Sequence, residues 1–213
     1  MPRQDRAVRT RARILEAAAV LIQSSGYSDM SLARVSEDAH VTKGALYFHF
    51  PSKESLAVAL IEQQHAVVQT DALVILASAA DPVTKMVRLC EDLARKLMSD
   101  PIVRAGIQLT TDSGTLETPV RKPYEDWINT FAVLATEAVA VGAFTSGTKP
   151  ETFANLLIPC FTGLQLVSES FSGRQDLPGR IADLWEVLIR ASVPTQQVDE
   201  RLLEAQRILL RTG

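Results

Sequence analysis

The residues best placed to do chemistry lie in one short run, VTKGALYFHF, at positions 41–50. Leu46 and Phe50 are four apart, the spacing of a helix face turned inward. Lys43, Gly44 and Tyr47 fall at i, i+1 and i+4 and share the opposite side. A lysine there can bond guanine edges or a phosphate. A glycine lets the backbone approach a duplex closely, and Tyr47 and His49 can donate to phosphate oxygens. Thr42 stands just before the run, where its hydroxyl can cap the helix. Lys53 opens the next helix, where a cation opposes the macrodipole, and an anion such as phosphate docked on the same helix end would account for it. A lone lysine or tyrosine on a helix is normally just solvated; the spacing of the set is what points to nucleic acid.

No comparable constellation supports catalysis. His40, His49 and His65 all lie in the first third, and none has Ser, Cys or Asp at a catalytic spacing. G-x-S-x-G, H-E-x-x-H and phosphate-loop patterns do not occur. The carboxylate pairs Glu91-Asp92 and Glu125-Asp126 are sequence neighbours that diverge by about 100° on a helix and read as solvated faces. Cys90 and Cys160 sit in apolar helical stretches and read as buried thiols of a reducing cytoplasm. Nothing spaces like a metal site, and no cofactor is expected. The chain reads as a non-enzyme.

The elements that must carry the 41–50 run follow from periodicity and punctuation. Ile14, Leu15, Ala18, Leu21 and Ile22 form one helical face, and Ser24, Ser25 and Gly26 end it, with Gly26 suited to a left-handed C-cap. Ser31 can cap a second short helix lined by Leu32, Val35 and Ala39. A turn at His40 and Val41 leads to the third helix, Lys43 to about Phe48. Pro51 breaks the chain, and Ser52 caps a long helix to about Ala79, roughly 40 Å in length. The second and third helices across a four-residue turn make a helix-turn-helix, which sets the N-terminal end of its last helix into a major groove.

Asp81-Pro82 and Asp100-Pro101 each announce a further helix, the first to about Ser99, the second to about Thr111. A loop is expected at 112–119, around Gly114 and Pro119. Helices are then expected from Tyr124 to about Val141 and from Pro150 to about Phe171, the latter kinked at Pro159. Asp176 should cap Pro178 to about Ser192. A last helix carries the stripe Val198, Leu202, Ala205 and Leu209. No stretch alternates with period two, so the fold class is all-α with about ten helices. Residues 1–55 form a head, with the reading motif at about 31–50 and the long connecting helix at 52–79. Residues 56–213 form the larger helical domain.

The chain has 213 residues and a net charge of −3, with 46% hydrophobic and 22% charged residues. A protein that coats nucleic acid and an acidic disordered chain are both excluded. No run of about 18 apolar residues exists for a membrane span, and the N-terminus lacks the apolar core of a secretory signal. A cytoplasmic, nucleoid-associated protein is expected. The charge is unevenly spread: residues 1–55 are +2 and the remainder −5. A short basic head on an acidic body suits a DNA reader joined to a sensor.

The segment TKGALYFHFPSKESL at 42–56, with ARILEAA at 12–18 and Gly26-Tyr27, resembles the head of the tetracycline-repressor (TetR) family over roughly residues 7–60. The resemblance implies an all-helical homodimer with an N-terminal helix-turn-helix and a ligand-binding C-terminal domain. Many members have glycine where this chain has His40; histidine tolerates a left-handed backbone at a cost on the order of 1 kcal/mol. GALYFHFPSKESLA at 44–57, DPIVRAGIQL at 100–109, PYEDW at 123–127 and LWEVLIRASVP at 184–194 are similar to the γ-butyrolactone receptors of actinomycetes. Such members repress antibiotic genes until a diffusible lactone, furan or butenolide binds. The resemblance implies that Trp127 lines the ligand pocket, and the pI of 5.7 matches the acidic, ligand-binding members.

A lactone hormone needs an apolar cavity with few polar groups. Gln64, Gln108, Thr130, Thr162 and Gln165 are set among apolar helix positions, and Gln64, Gln108, Thr162 and Gln165 join Trp127 as ligand candidates. Gln64, on the long helix leaving the head, could link ligand to DNA. The expected partners are a pseudo-palindromic operator duplex, a small apolar signal and a second copy of the chain packed through 150–171 and the last helical segments. Two regulator alternatives stay open, a hormone-blind pseudo-receptor and a sensor of antibiotics or other apolar compounds. A helical enzyme or carrier without DNA binding is a third.

Overall fold

The computed structural model describes residues 2–111 and 121–210, and the loop expected at 112–119 lies outside them. Among the described residues there are ten α-helices and no strand: α1 (Pro2–Asp29), α2 (Leu32–Asp38), α3 (Lys43–His49), α4 (Lys53–Ala77), α5 (Pro82–Ser99), α6 (Pro101–Thr111), α7 (Lys122–Ala140), α8 (Pro150–Ser172), α9 (Leu177–Ser192) and α10 (Val198–Leu209). None is long and apolar enough to cross a membrane.

The punctuation residues act locally. Ser31 accepts the Arg34 amide at 3.3 Å and Thr42 that of Ala45 at 3.1 Å, two N-caps formed as expected. Ser52 and Ser55 cap each other's backbone amides at 3.0 Å and open α4. Asp81 takes the amides of Val83 and Thr84, and Asp100 those of Ile102 and Val103. α4 ends two residues short of the expected point, where both the amide and the hydroxyl of Ser78 bond the Ile75 carbonyl.

Several local expectations are corrected. Gly26 has φ 80° but ψ 163°, so it is not a left-handed cap. It turns the chain in a conformation open essentially to glycine alone, and a further helical turn brings Tyr27 and Met30 onto the core. Pro159 lies inside α8 without ending it: its position is exposed, so water can take the carbonyl freed by the missing N–H. Asp176 does not cap α9: its carboxylate is taken by Ser168, Ser172 and Arg180. Those hydroxyls, first, and then Arg180 hold its carboxyl down at about 2.

The chain packs as two compact units. One comprises the residues up to Gln69 together with the α6 segment from Ser99; the other comprises Thr70–Met98 and everything from Arg121 onwards. In the first, Ile14, Leu15 and Ile22 of α1 meet Leu46 and Phe50 around α3 and Leu56, Leu60 and Ile61 of α4. Ala105 and Leu109 of α6 belong to this same core, so packing carries the head past residue 55 and adds a helix some forty residues further on. Gln23 of α1 also donates to the Pro101 carbonyl at 2.9 Å.

The second unit is a helical body. α7 and α8 form a hairpin, α8 also packs on α9, and α9 on α10. Trp185, wholly buried, stacks toward Phe153, which meets Phe144. Cys90 is buried as expected, and burial pushes its thiol up to about 12 despite the Trp185 indole beside it; Cys160 is only half-buried. Asp92, expected on a solvated face, is 5% exposed and pairs with Lys96, which also reaches Asp71 of α4 at 2.7 Å. The Lys96 ammonium beside Asp71 holds that carboxyl below its usual range.

Candidate functional site

α3 is too short to be stable alone, so its pose is set by what it buries. Leu46 and Phe50 are 0% and 2% exposed and anchor it to α1 and α4, each worth about 1.5–3 kcal/mol. That anchoring turns Thr42, Lys43, Gly44 and Tyr47 outward, all exposed, while His49 is half-buried beside Phe50. A Cβ added at Gly44 would meet nothing, so the surface there is open.

Phe48 was not singled out by the sequence reading, yet it is 81% exposed, edge-on to His49 at 5.3 Å. The signal was present, since Phe48 lies two residues from both inward anchors and therefore points away from the core. An aromatic ring exposed on this helix can meet thymine methyls, while Lys43 and Tyr47 can serve phosphates.

The turn before α3 is held by Arg13, which donates to the carbonyls of Ala39 at 2.5 Å and His40 at 3.0 Å. His40 has φ 51°, the left-handed backbone foreseen for it. Arg11 lies over the Phe50 ring at 5.4 Å. Two of the head's arginines therefore brace the fold. Arg6 and Arg9 join Arg13, with Asp5, in lining a cleft of about 840 Å³ that runs to Thr42 and Ala45, a concavity of net positive charge beside the start of α3. Lys53 has local partners: it donates to the Ser28 carbonyl at 2.8 Å and sits 4.5 Å over the Tyr27 ring. Those contacts account for its place in the first turn of α4 without a bound anion.

The ligand candidates separate by burial. Gln64, in the head unit, is 1% exposed, lies directly under Gly106, and its Oε1 has no partner among the described residues. Gln108 is exposed on α6 and belongs to the solvated face, which removes its reason for being in a pocket. In the body, Trp127 is half-buried and tilts against Phe131 at 6.3 Å. Thr162 and Thr130 each donate to the carbonyl four residues back, leaving their lone pairs as acceptors. Gln165 is 1% exposed; its Oε1 accepts from Arg174 at 3.1 Å, and its Nε2 has no partner among the described residues.

Helix rise sets three of these residues level. Counted from the α7–α8 turn at about 1.5 Å per residue, Trp127 lies roughly 20 Å along α7, and Thr162 and Gln165 roughly 18 and 22 Å along α8. A depression of about 450 Å³ in the body is lined by the charged Asp71, Arg88, Glu91, Asp92 and Arg95 beside Val74, Ile75 and Ile208, and none of the ligand candidates lines it. No cluster of His, Cys, Asp and Glu among the described residues could hold a metal.

Comparison with known proteins places this geometry. Residues 14–60 match the family model "Bacterial regulatory proteins, tetR family", and residues 81–194, more than half the chain, match "Tetracyclin repressor-like, C-terminal domain". The A-factor receptor protein of Streptomyces griseus is 34% identical over 89% of this chain, and the chain spans 66% of that relative's length. A solved gamma-butyrolactone receptor (ArpA-like protein) superposes with a TM-score of 0.84 at 31% identity, covering 97% of this chain and 100% of that one. CprB of Streptomyces coelicolor, solved in complex with its biological operator sequence, superposes at 0.82 with 32% identity over 97% of this chain and 100% of that one. A helix-turn-helix head locked by Leu46 and Phe50, followed by a helical body of this length and order, makes the chain a member of the tetracycline-repressor (TetR) family of transcriptional regulators.

Proposed function

We propose that the protein is a cytoplasmic, homodimeric repressor that holds a pseudo-palindromic operator until a small γ-butyrolactone-type signal, or a related furan or butenolide, releases it. The observation that carries this reading is the outward row Thr42, Lys43, Gly44, Tyr47 and Phe48 on a helix whose only buried residue is Leu46. The whole-chain likeness to receptors of that hormone class supports the choice of signal. In a dimer, two such helices would enter major grooves one helical turn, or a multiple, apart. The apolar residues Leu156, Val167 and Phe171 of α8 and Val187 of α9, exposed by 42–80%, offer a face for the second copy.

Trp127, Thr162 and Gln165 are the proposed ligand contacts in the body, and Gln64 carries a buried acceptor in the head unit. Ligand would favour a conformation in which α4 is displaced and the two heads no longer match successive grooves. Moving the operator from almost fully bound to almost fully free needs a preference of about 5 kcal/mol for the released state. The test is a gel shift with palindromic DNA from beside this gene, challenged with a synthetic 2,3-disubstituted γ-butyrolactone. Release at micromolar lactone, and loss of the shift in Lys43→Ala/Tyr47→Ala with an unchanged circular dichroism spectrum, are expected. A shift that survives the double substitution overturns the reading helix; no release by any lactone, furan or butenolide overturns the signal.

A further inference from the structure

Arg174 forms a buried polar pair with Gln165, and the repressor reading uses the glutamine but not the arginine. After α8, Gly173 and Arg174 both take positive φ, 59° and 68°. For arginine this backbone costs on the order of 1 kcal/mol, so something must hold it. The two left-handed residues fold the chain back under its own helix, and the Arg174 side chain runs inward, 8% exposed. Its guanidinium bonds Glu169 at 2.9 Å through Nη1 and the Gln165 Oε1 at 3.1 Å through Nη2.

That second bond has a chemical consequence. A glutamine amide is symmetric in shape, and only its partners decide which end is oxygen. A guanidinium can only donate, so Arg174 must face the oxygen. The nitrogen is thereby directed the other way, as a donor with no acceptor among the described residues. Gln165 is 1% exposed, so bulk water does not serve it. It lies on the same buried flank of α8 as Phe161, with Thr162 beside it and at the level of Trp127 on α7. A buried, unpaired and oriented donor on the same helix flank as Phe161 is the complement of a carbonyl oxygen on an otherwise apolar molecule.

We infer that Gln165, oriented by Arg174, donates its amide N–H to a carbonyl oxygen of the ligand, so that Arg174 is a positioning residue for ligand choice. The inference rests on the receptor reading and adds to it which oxygen is read and by what. Thr162, with its hydroxyl proton spent on Ile158, can only accept there, so a ligand hydroxyl belongs to Thr162 and a carbonyl to Gln165. Arg174 itself does not touch the ligand; it prevents the amide from turning over.

The test pairs a synthetic 2,3-disubstituted γ-butyrolactone with the matched tetrahydrofuran, identical except for the carbonyl, by calorimetry on the full-length protein. The wild type is expected to favour the lactone about tenfold. Gln165→Leu and Gln165→Glu should both bring that preference close to one; the glutamate pairs with Arg174, keeps the interior filled and has no N–H to give. Thermal melts establish that each variant is folded, and if the leucine variant is not, the glutamate variant carries the test. The infrared carbonyl band of bound lactone should sit at lower frequency in the wild type than in either variant. Arg174→Met should move that band back and broaden it, and Arg174→Lys, which can still donate to Oε1, should restore it. A tenfold preference retained in a folded Gln165 variant overturns the inference and leaves the receptor reading standing. Binding of neither compound by the wild type overturns both.

Discussion

Gly106 of α6 allows a prediction whose size follows from distances. A Cβ placed on it would stand 2.4 Å from Cβ and 2.8 Å from Cγ of Gln64, with the Leu60 carbonyl oxygen at 3.3 Å. Carbon atoms rest at about 3.5–4.0 Å, so Gly106→Ala demands more than about 1 Å of separation. A rotamer change moves Cγ but not Cβ, so the relief must come from the helices. α6 carries Ala105 and Leu109 in the head's core, and shifting it loosens that core. Overpacking costs about 1–3 kcal/mol, here toward the upper end because the obstructing atom is fixed to backbone. Alanine returns about 1 kcal/mol of helix propensity. The net loss is about 1–2 kcal/mol, or a fall in Tm of about 2–8 °C for a chain of this length. The assay is thermal unfolding followed by circular dichroism for wild type, Gly106→Ala, Gln64→Gly and the double variant. Gln64→Gly removes the opposing Cβ, so the double variant should be more stable than the sum of the singles by about 1–3 kcal/mol. Gly106→Ala melting at or above wild type, or strict additivity, refutes the close approach of α6 to α4.

Asp176 has its carboxyl held at about 2 against an ordinary 3.8, so the bonds from Ser168, Ser172 and Arg180 stabilise the fold above pH 4 and are lost as pH falls through 2. The gap in Tm between wild type and Asp176→Asn should be widest above pH 4 and close toward pH 2; a gap that widens in acid refutes the assignment. Lys96→Met leaves Asp92 buried with Arg95 as its remaining cation, and should cost up to about 3 kcal/mol in urea unfolding. Adding Asp92→Leu should recover most of that, and a double variant no more stable than the single speaks against a paired interior charge. Trp127→Ala should keep operator binding in a gel shift while raising the lactone concentration for release at least tenfold; normal release would make Trp127 simply part of the packed interior.

Much of the molecule was legible because helices are written locally. Caps, proline starts and i, i+4 faces act within a few residues, so Ser31, Thr42, Asp81 and Asp100 cap as the sequence suggests. The same periodicity gave the outward face of α3 and contained the clue to Phe48. Lys53 illustrates the limit: its position on the helix was readable, but the Ser28 carbonyl and the Tyr27 ring that satisfy it arrive from another element. Gln108 and Gln165 are the same residue type on apolar-looking helices, and only packing makes one a solvated side chain and the other a buried amide.

The sequence by itself determined an all-helical chain, a helix-turn-helix with the outward residues of its last helix, and a basic head on an acidic body. Tertiary structure decided that α6 shares the head's core, that Gly106 must be small, that Asp92 is paired inside, and that Gln165 presents nitrogen rather than oxygen. The division has one physical cause. Periodicity and capping depend on neighbours along the chain, whereas burial, close approach and the direction of an amide depend on what the fold sets opposite.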